Sequence, residues 1–195
     1  MQHKVKVTVI DKKLYTDLQQ QYCADPESGK CPCYHVGDAF VFERYGTADD
    51  FWHIGRNTLK QTACTAGNIA GGPEFLHCSE AWDAISRYIY TGLQGGSIMR
   101  GWMKDERVMI ACCSDGTRPV IFKIERLDYK VLWMEGLVKP EEQKKIRQVL
   151  EQIDGVTETV FREEFAEVYL QKDVEDSILK NAAEECGSCR ILRID

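Results

Sequence analysis

Apolar and polar residues alternate from the start of the chain, and residues 5–10 read as a first strand. A short helix follows over 13–21. Residues 23–33 read as a loop holding Asp25-Pro26, Ser28-Gly29 and Cys31-Pro32-Cys33, and Gly37-Asp38 leads into a second strand at 39–43. Residues 45–74 carry the least pattern, with Ala66-Gly67 and Gly71-Gly72-Pro73, and read as a long functional or mobile loop. Ser79 is placed to cap the next helix, with Glu80 and Asp83 at its positive end. Trp82, Ile85, Ile89 and Leu93 recur at helical spacing as its buried face, and Gly95-Gly96 stops it. Two β-branched runs then flank Ser114-Asp115-Gly116-Thr117-Arg118-Pro119, which predicts a hairpin over 108–126. Successive strand residues face opposite ways, so at most one of Cys112 and Cys113 faces a core.

A second pattern starts at Asp128. A strand at 130–134 is followed by a helix opened by Pro140, Glu141 and Glu142, with Ile146, Val149, Leu150 and Ile153 as its stripe. Strands at 156–161 and 165–170 flank a short charged turn. Asp173 is placed to cap a last helix bearing Val174, Ile178, Leu179 and Ala182, and 190–194 is a final strand. The order β-α-β-β-α-β in this length is that of a ferredoxin-like split βαβ fold. The pattern therefore predicts an α+β protein: a mixed α+β N-terminal domain over 1–127 and a ferredoxin-like C-terminal domain over 128–195.

Composition narrows the function classes. Of 195 residues, 44% are apolar and 29% charged, the balance of a soluble globular protein. The net charge of −6 and the lack of a basic stretch argue against nucleic acid or an anionic membrane as partner. No run of apolar residues is long enough to span a bilayer, and the alternating N-terminus is unlike a signal peptide. The expectation is a cytoplasmic protein. Nine cysteines, an odd number, then favour metal, cluster or reactive-thiol roles over a disulfide framework.

Two resemblances bear on this. Residues 130–195 resemble a heavy-metal-associated domain of the copper-chaperone type in element order and length. That family binds metal through Met-x-Cys-x-x-Cys after its first strand. Here the loop reads Met134-Glu135-Gly136-Leu137-Val138-Lys139, with Gly136 and Lys139 where the thiols would stand, so the resemblance implies the fold and not metal delivery. Residues 4–127 resemble a small, uncharacterised, cysteine-containing bacterial family common in anaerobes. The matching stretches are Cys31-Pro32, Val36-Gly37-Asp38-x-Phe40, Cys78-x-x-Ala81-Trp82 and Cys113-x-Asp115-Gly116-x-Arg118-Pro119 with the following Val120 to Arg126. The resemblance implies a shared set of three cysteines, Cys31, Cys78 and Cys113, with residues 45–74 as an insertion.

The expected chemistry follows from thiols. Cys31, Cys78 and Cys113 are the first candidates for ligands of zinc or an iron–sulfur cluster, with Cys33, Cys112 or His35 to complete the shell and Cys64 also available. The competing reading is that buried free cysteines are small apolar groups. Cys78 precedes a predicted helix N-terminus, where the dipole favours a thiolate, so Cys78 or Cys113 is the candidate nucleophile of a thiol-based redox enzyme or sulfur carrier. Cys186-Gly187-Ser188-Cys189 is the only C-x-x-C. It follows a helix instead of opening one, and reads first as a turn, then as a secondary metal or regulatory pair. His35 and His53 read as ordinary polar residues, and Trp52, Trp82, Trp102, Tyr88 and Tyr90 as core or pocket wall. The leading expectation is a metal- or iron–sulfur-binding protein of anaerobic metabolism whose C-terminal domain docks a protein partner. A non-catalytic interaction module is the third reading.

Overall fold

The computed structural model describes residues 1–44, 59–64, 78–135, 139–186 and 189–195, with backbone alone for 44 and 59–64. Trp52, His53, the glycine-rich pieces of 45–74, the loop residues 136–138 and the centre of the C-x-x-C lie outside the described residues. So does the Cys64 side chain. The fold is α+β, with antiparallel pairing between each recorded pair of strands. The chain divides into two compact units: Lys4–Arg126, and Leu127–Asp195 together with Met1–His3.

In the N-terminal unit, β1 (Gln2–Lys12) and β2 (Ala39–Arg44) form an antiparallel pair in the register Val7↔Phe40. The short helix α1 (Thr16–Tyr22) lies between them in sequence. A strand that the sequence pattern does not signal, β3 (Leu59–Cys64), extends the sheet beyond β2. The helix α2 (Ser79–Leu93) buries Ala81, Ile85, Ile89, Gly92 and Leu93. Its N-cap is Cys78 and not Ser79, which is the first helical residue. Gly92 allows the helix to approach β1: a Cβ there would meet Val5 Cγ2 at 2.7 Å. The hairpin forms as its pattern predicts, with β4 (Val108–Cys112) against the start of β5 (Val120–Met134) in the register Cys112↔Ile121. Val5, Val7, Val9, Phe40, Ile85, Ile89, Phe122 and Ile124 make the core, at a few per cent exposure or less.

The strand expected to end near Arg126 and the one expected at 130–134 are a single strand, β5, which runs unbroken through Asp128. Between Val120 and Met134 there is no glycine or proline to end the strand, and its two buried charges are satisfied. Asp128 Oδ1 lies 2.7 Å from His3 Nδ1. Lys130 Nζ donates to Asp176 Oδ1 at 2.7 Å and reaches Asp173 Oδ1 at 3.0 Å. That second pair explains another difference. Asp173 is held by Lys130, and the N-cap of the last helix is Glu175.

In the C-terminal unit, β5 is followed by α3 (Pro140–Leu150), β6 (Val156–Phe161), β7 (Phe165–Leu170), α4 (Asp176–Glu185) and β8 (Ile191–Ile194). Their pairing order is β8-β5-β7-β6. Pro140 sits in the first turn of α3, and the Glu142 carboxylate accepts from the Lys139 backbone N–H at 3.2 Å. Leu132, Ile146, Leu150, Ala166, Val168, Leu179 and Ala183 fill a second core. Ile178, expected in the buried stripe of α4, is exposed at 47%.

Candidate thiol site

The site is built on the loop between α1 and β2, which backbone and side-chain bonds fasten to β1. Gly37 takes a positive φ of 100°, and its N–H donates to Val9 O while Val9 N–H donates to Asp38 O, both at 2.8 Å. Asp38 Oδ2 accepts from His35 N–H at 2.8 Å. Lys12 Nζ donates to Tyr34 O at 2.7 Å, and the buried Gln19 donates to Gly29 O at 3.1 Å. Tyr34 turns inward, its ring edge-on to Phe40 and Phe122 with centroids 6.1 and 5.4 Å away. Cys31 and Cys33, two residues apart around the exposed Pro32, are left half-buried against the same core.

Cys78 arrives from the start of α2, joining the same cluster, and its backbone is hydrogen-bonded to the Tyr34 phenol. Burial, reinforced by the surrounding thiols Cys78, Cys33 and Cys31, keeps that phenol protonated far above its ordinary range. Burial likewise pushes the Cys33 thiol up, reinforced by the neighbouring Cys31 and by the charge of Cys78. Arg118 opposes them. Cys31, Cys33, Cys78 and Arg118 are therefore one electrostatic group, assembled from three separate stretches of chain.

Arg118 is oriented by the turn that carries it. Its Nε donates to Asp115 Oδ2 at 3.1 Å, while Asp115 Oδ1 accepts the Thr117 N–H and hydroxyl, each at 2.9 Å. Burial disfavours the Asp115 carboxylate, but the bonds from Thr117 and Arg118 outweigh it and hold the group below its ordinary value of 3.8. A lowered carboxyl stabilises the fold above its unfolded-state value, and this is lost as pH falls through the folded-state value. Unfolding stability measured downward from about pH 5 is thus expected to fall less steeply in Asp115→Asn than in the parent chain. Identical slopes would mean that the turn is not tied by this carboxylate. The turn is also tied to α2, since Ser114 N–H donates to Glu80 O at 3.3 Å and the Ser114 hydroxyl to the Glu80 carboxylate.

The other expected site residues fall as follows. Cys113 is buried at 8% exposure in the same core cluster, and its Sγ accepts the Val120 N–H at 3.3 Å. Cys112 is exposed, the two adjacent thiols facing opposite ways as strand geometry demands. His35 is more than half exposed and lies 3.9 Å from Asp38 Oδ2. All the cysteines with described side chains are free. Among the described residues no group of three or more His, Cys, Asp or Glu side chains is arranged to hold a metal ion. In the C-terminal unit Cys186 caps the end of α4, where it cannot serve as a helix-N-terminal thiol.

Sequence reasoning ranked Cys33 behind Cys113 and did not single out Tyr34 or Arg118. The signal was present for Cys33: an i, i+2 pair around an exposed proline shares a side of the chain. Comparison of the chain with protein-family models, curated proteins and solved structures finds no match. No described helix is long and apolar enough to cross a membrane.

Proposed function

We propose that the N-terminal unit is a thiol–disulfide site in which Cys31 and Cys33 are the working pair. The observation that carries the reading is that the half-buried Cys31 and Cys33 pack against one core cluster with Cys78, with Cys78 and Arg118 in electrostatic reach of Cys33. Cys33, held protonated by burial and by its neighbour, acts as the resolving thiol. The Cys31 thiolate attacks a disulfide and releases one thiol. Cys33 then displaces the second, its proton leaving with it, so that two thiols become one disulfide and the substrate disulfide becomes two thiols. Arg118, the cation beside the pair, stabilises the negative charge that passes between sulfurs.

Lys30 and Arg44 bound a tryptic peptide, 31–44, that holds Cys31 and Cys33 and no other cysteine. After equilibration with oxidised glutathione, acid quench and alkylation, this peptide is expected two hydrogens lighter and without alkyl groups. Cys33→Ser is expected to abolish that form completely. A doubly alkylated wild-type peptide across the whole range of oxidant would defeat the proposal.

A second reading is a soft-cation site, for which the thiols would have to draw together, since no described group of three is arranged to hold a metal ion. Cys31, Cys33 and Cys78 would supply thiolates to zinc or an iron–sulfur cluster, with the buried Cys113 and its Val120 hydrogen bond beside them, because a cation relieves the mutual penalty of adjacent thiolates. Stoichiometric zinc, or iron with acid-labile sulfide, in protein purified without oxygen or chelator would place this reading first. In either reading the strand order β8-β5-β7-β6 supports a ferredoxin-like C-terminal domain. The free thiols support a reducing, cytoplasmic setting.

A further inference from the structure

Two thiols outside this site are held together in the C-terminal unit. Cys186 closes α4, and its Sγ lies 3.7 Å from Ala182 O. Cys189 precedes β8, and its Sγ lies 3.6 Å from Ala183 O. The two acceptors are consecutive carbonyls of the same helical turn, so both sulfurs sit at one end of α4. Both pack against the same core cluster. The chain after Cys189 is fastened back to the helix, because Ile191 N–H donates to Glu184 Oε1 at 2.8 Å. On its other side Glu135 N–H donates to Arg190 O at 2.9 Å. The bonds at Arg190 and Ile191 thus hold the chain just after Cys189 against the end of α4, where Cys186 sits.

We propose that Cys186 and Cys189 are a second oxidation site, forming a disulfide that staples the end of α4 to the start of β8. The oxidant class is a small-molecule disulfide. Cys186, at the end of α4, loses its proton and attacks one sulfur of the oxidant, releasing one thiol. Cys189 loses its proton to solvent and displaces the second thiol from the mixed disulfide. The two protein S–H bonds give one S–S bond, and the oxidant is reduced to two thiols. Burial first, then the charges of Cys186, Glu184 and Glu142, push the Cys189 thiol up, which suits it to the resolving and not the attacking role. A thiol that resists ionisation, as Cys189 does, also leaves poorly once joined, so the bond is slow to form and hard to reduce. This separates it from the Cys31–Cys33 pair, on which it does not depend.

Tryptic peptide 181–190 contains Cys186 and Cys189 and no other cysteine. The whole chain is equilibrated in buffers of reduced and oxidised glutathione, quenched in acid, alkylated and digested. The expected result is an unalkylated peptide two hydrogens lighter at the oxidising end. It appears unchanged in Cys33→Ser, and amide exchange over the last turn of α4 is slower than in reduced protein. Cys186→Ser is expected to leave Cys189 alkylated with no linkage. A doubly alkylated 181–190 peptide throughout, or a stable glutathione adduct on Cys186 that Cys189 does not displace, would overturn the proposal. Because the wild-type peptide decides it, misfolding of a serine variant leaves the test intact. Loss of the 31–44 linkage alone would count against the first site only.

Discussion

Phe122→Ala is expected to destabilise the N-terminal unit by about 3–5 kcal/mol, the usual cost of removing a fully buried phenylalanine. Phe122 is 1% exposed. It lies in β5 opposite Ala111 of β4, and its ring meets the Tyr34 ring edge-on. Truncation removes the ring's transfer free energy and leaves a void among valines of β1 that strand packing cannot close. The effect extends to the thiols. Tyr34 would lose one of its two aromatic walls, and the Tyr34 phenol is what meets the backbone at Cys78. Urea unfolding should show the stability loss, and alkylation of native Cys33 should be faster than in the parent chain. A loss under about 1 kcal/mol would mean that the core collapses around the missing ring and that Tyr34 is held by its backbone alone.

Leu132→Ala is expected to cost about 2–5 kcal/mol, in the C-terminal unit. Leu132 is wholly buried at the centre of that unit's sheet, opposite Ala166 of β7 on one side and Ile194 of β8 on the other. With alanine across from it on β7, only Ile194 of β8 borders the space within the sheet, and one side chain cannot fill it. Urea unfolding measures the loss, and amide exchange locates it: α3 and α4 should lose protection, whereas Phe122→Ala should act first on α2 and β1. Unchanged protection of α3 and α4 in Leu132→Ala would show that this position is not the keystone its burial indicates. Both substitutions lie on β5, so the pair tests one strand serving two cores.

Much of the fold was legible because local rules and tertiary structure agree. The hairpin over 108–126 needed only β-branched runs and a turn cluster. Strands β6 and β7 fell where alternation placed them, and Pro140 with its acids marked the start of α3. Where the two disagree, a long-range partner decides. Residues 120–126 and 130–134 read as two strands, yet Asp128 between them, met by His3 from the far end of the chain, lies inside a single one. Asp173 reads as a helix cap, yet Lys130 holds it and Glu175 takes the cap. The strand β3 carries little pattern of its own and is defined by its pairing with β2.

The candidate site divides in the same way. The sequence alone pointed to sulfur as the chemistry to look for, through nine cysteines. Strand geometry sufficed to predict that Cys112 and Cys113 face apart, since that follows from a period of two. Which thiols meet was decided only by the tertiary structure. Cys31 and Cys33 reach Cys78 because the loop after α1 is bonded back onto β1 and because Tyr34 packs between Phe40 and Phe122. Arg118 is aimed by Asp115 across a turn. Periodicity records which side of an element is apolar. It does not record which ends of distant elements come to lie together, because that depends on the packing of cores they share.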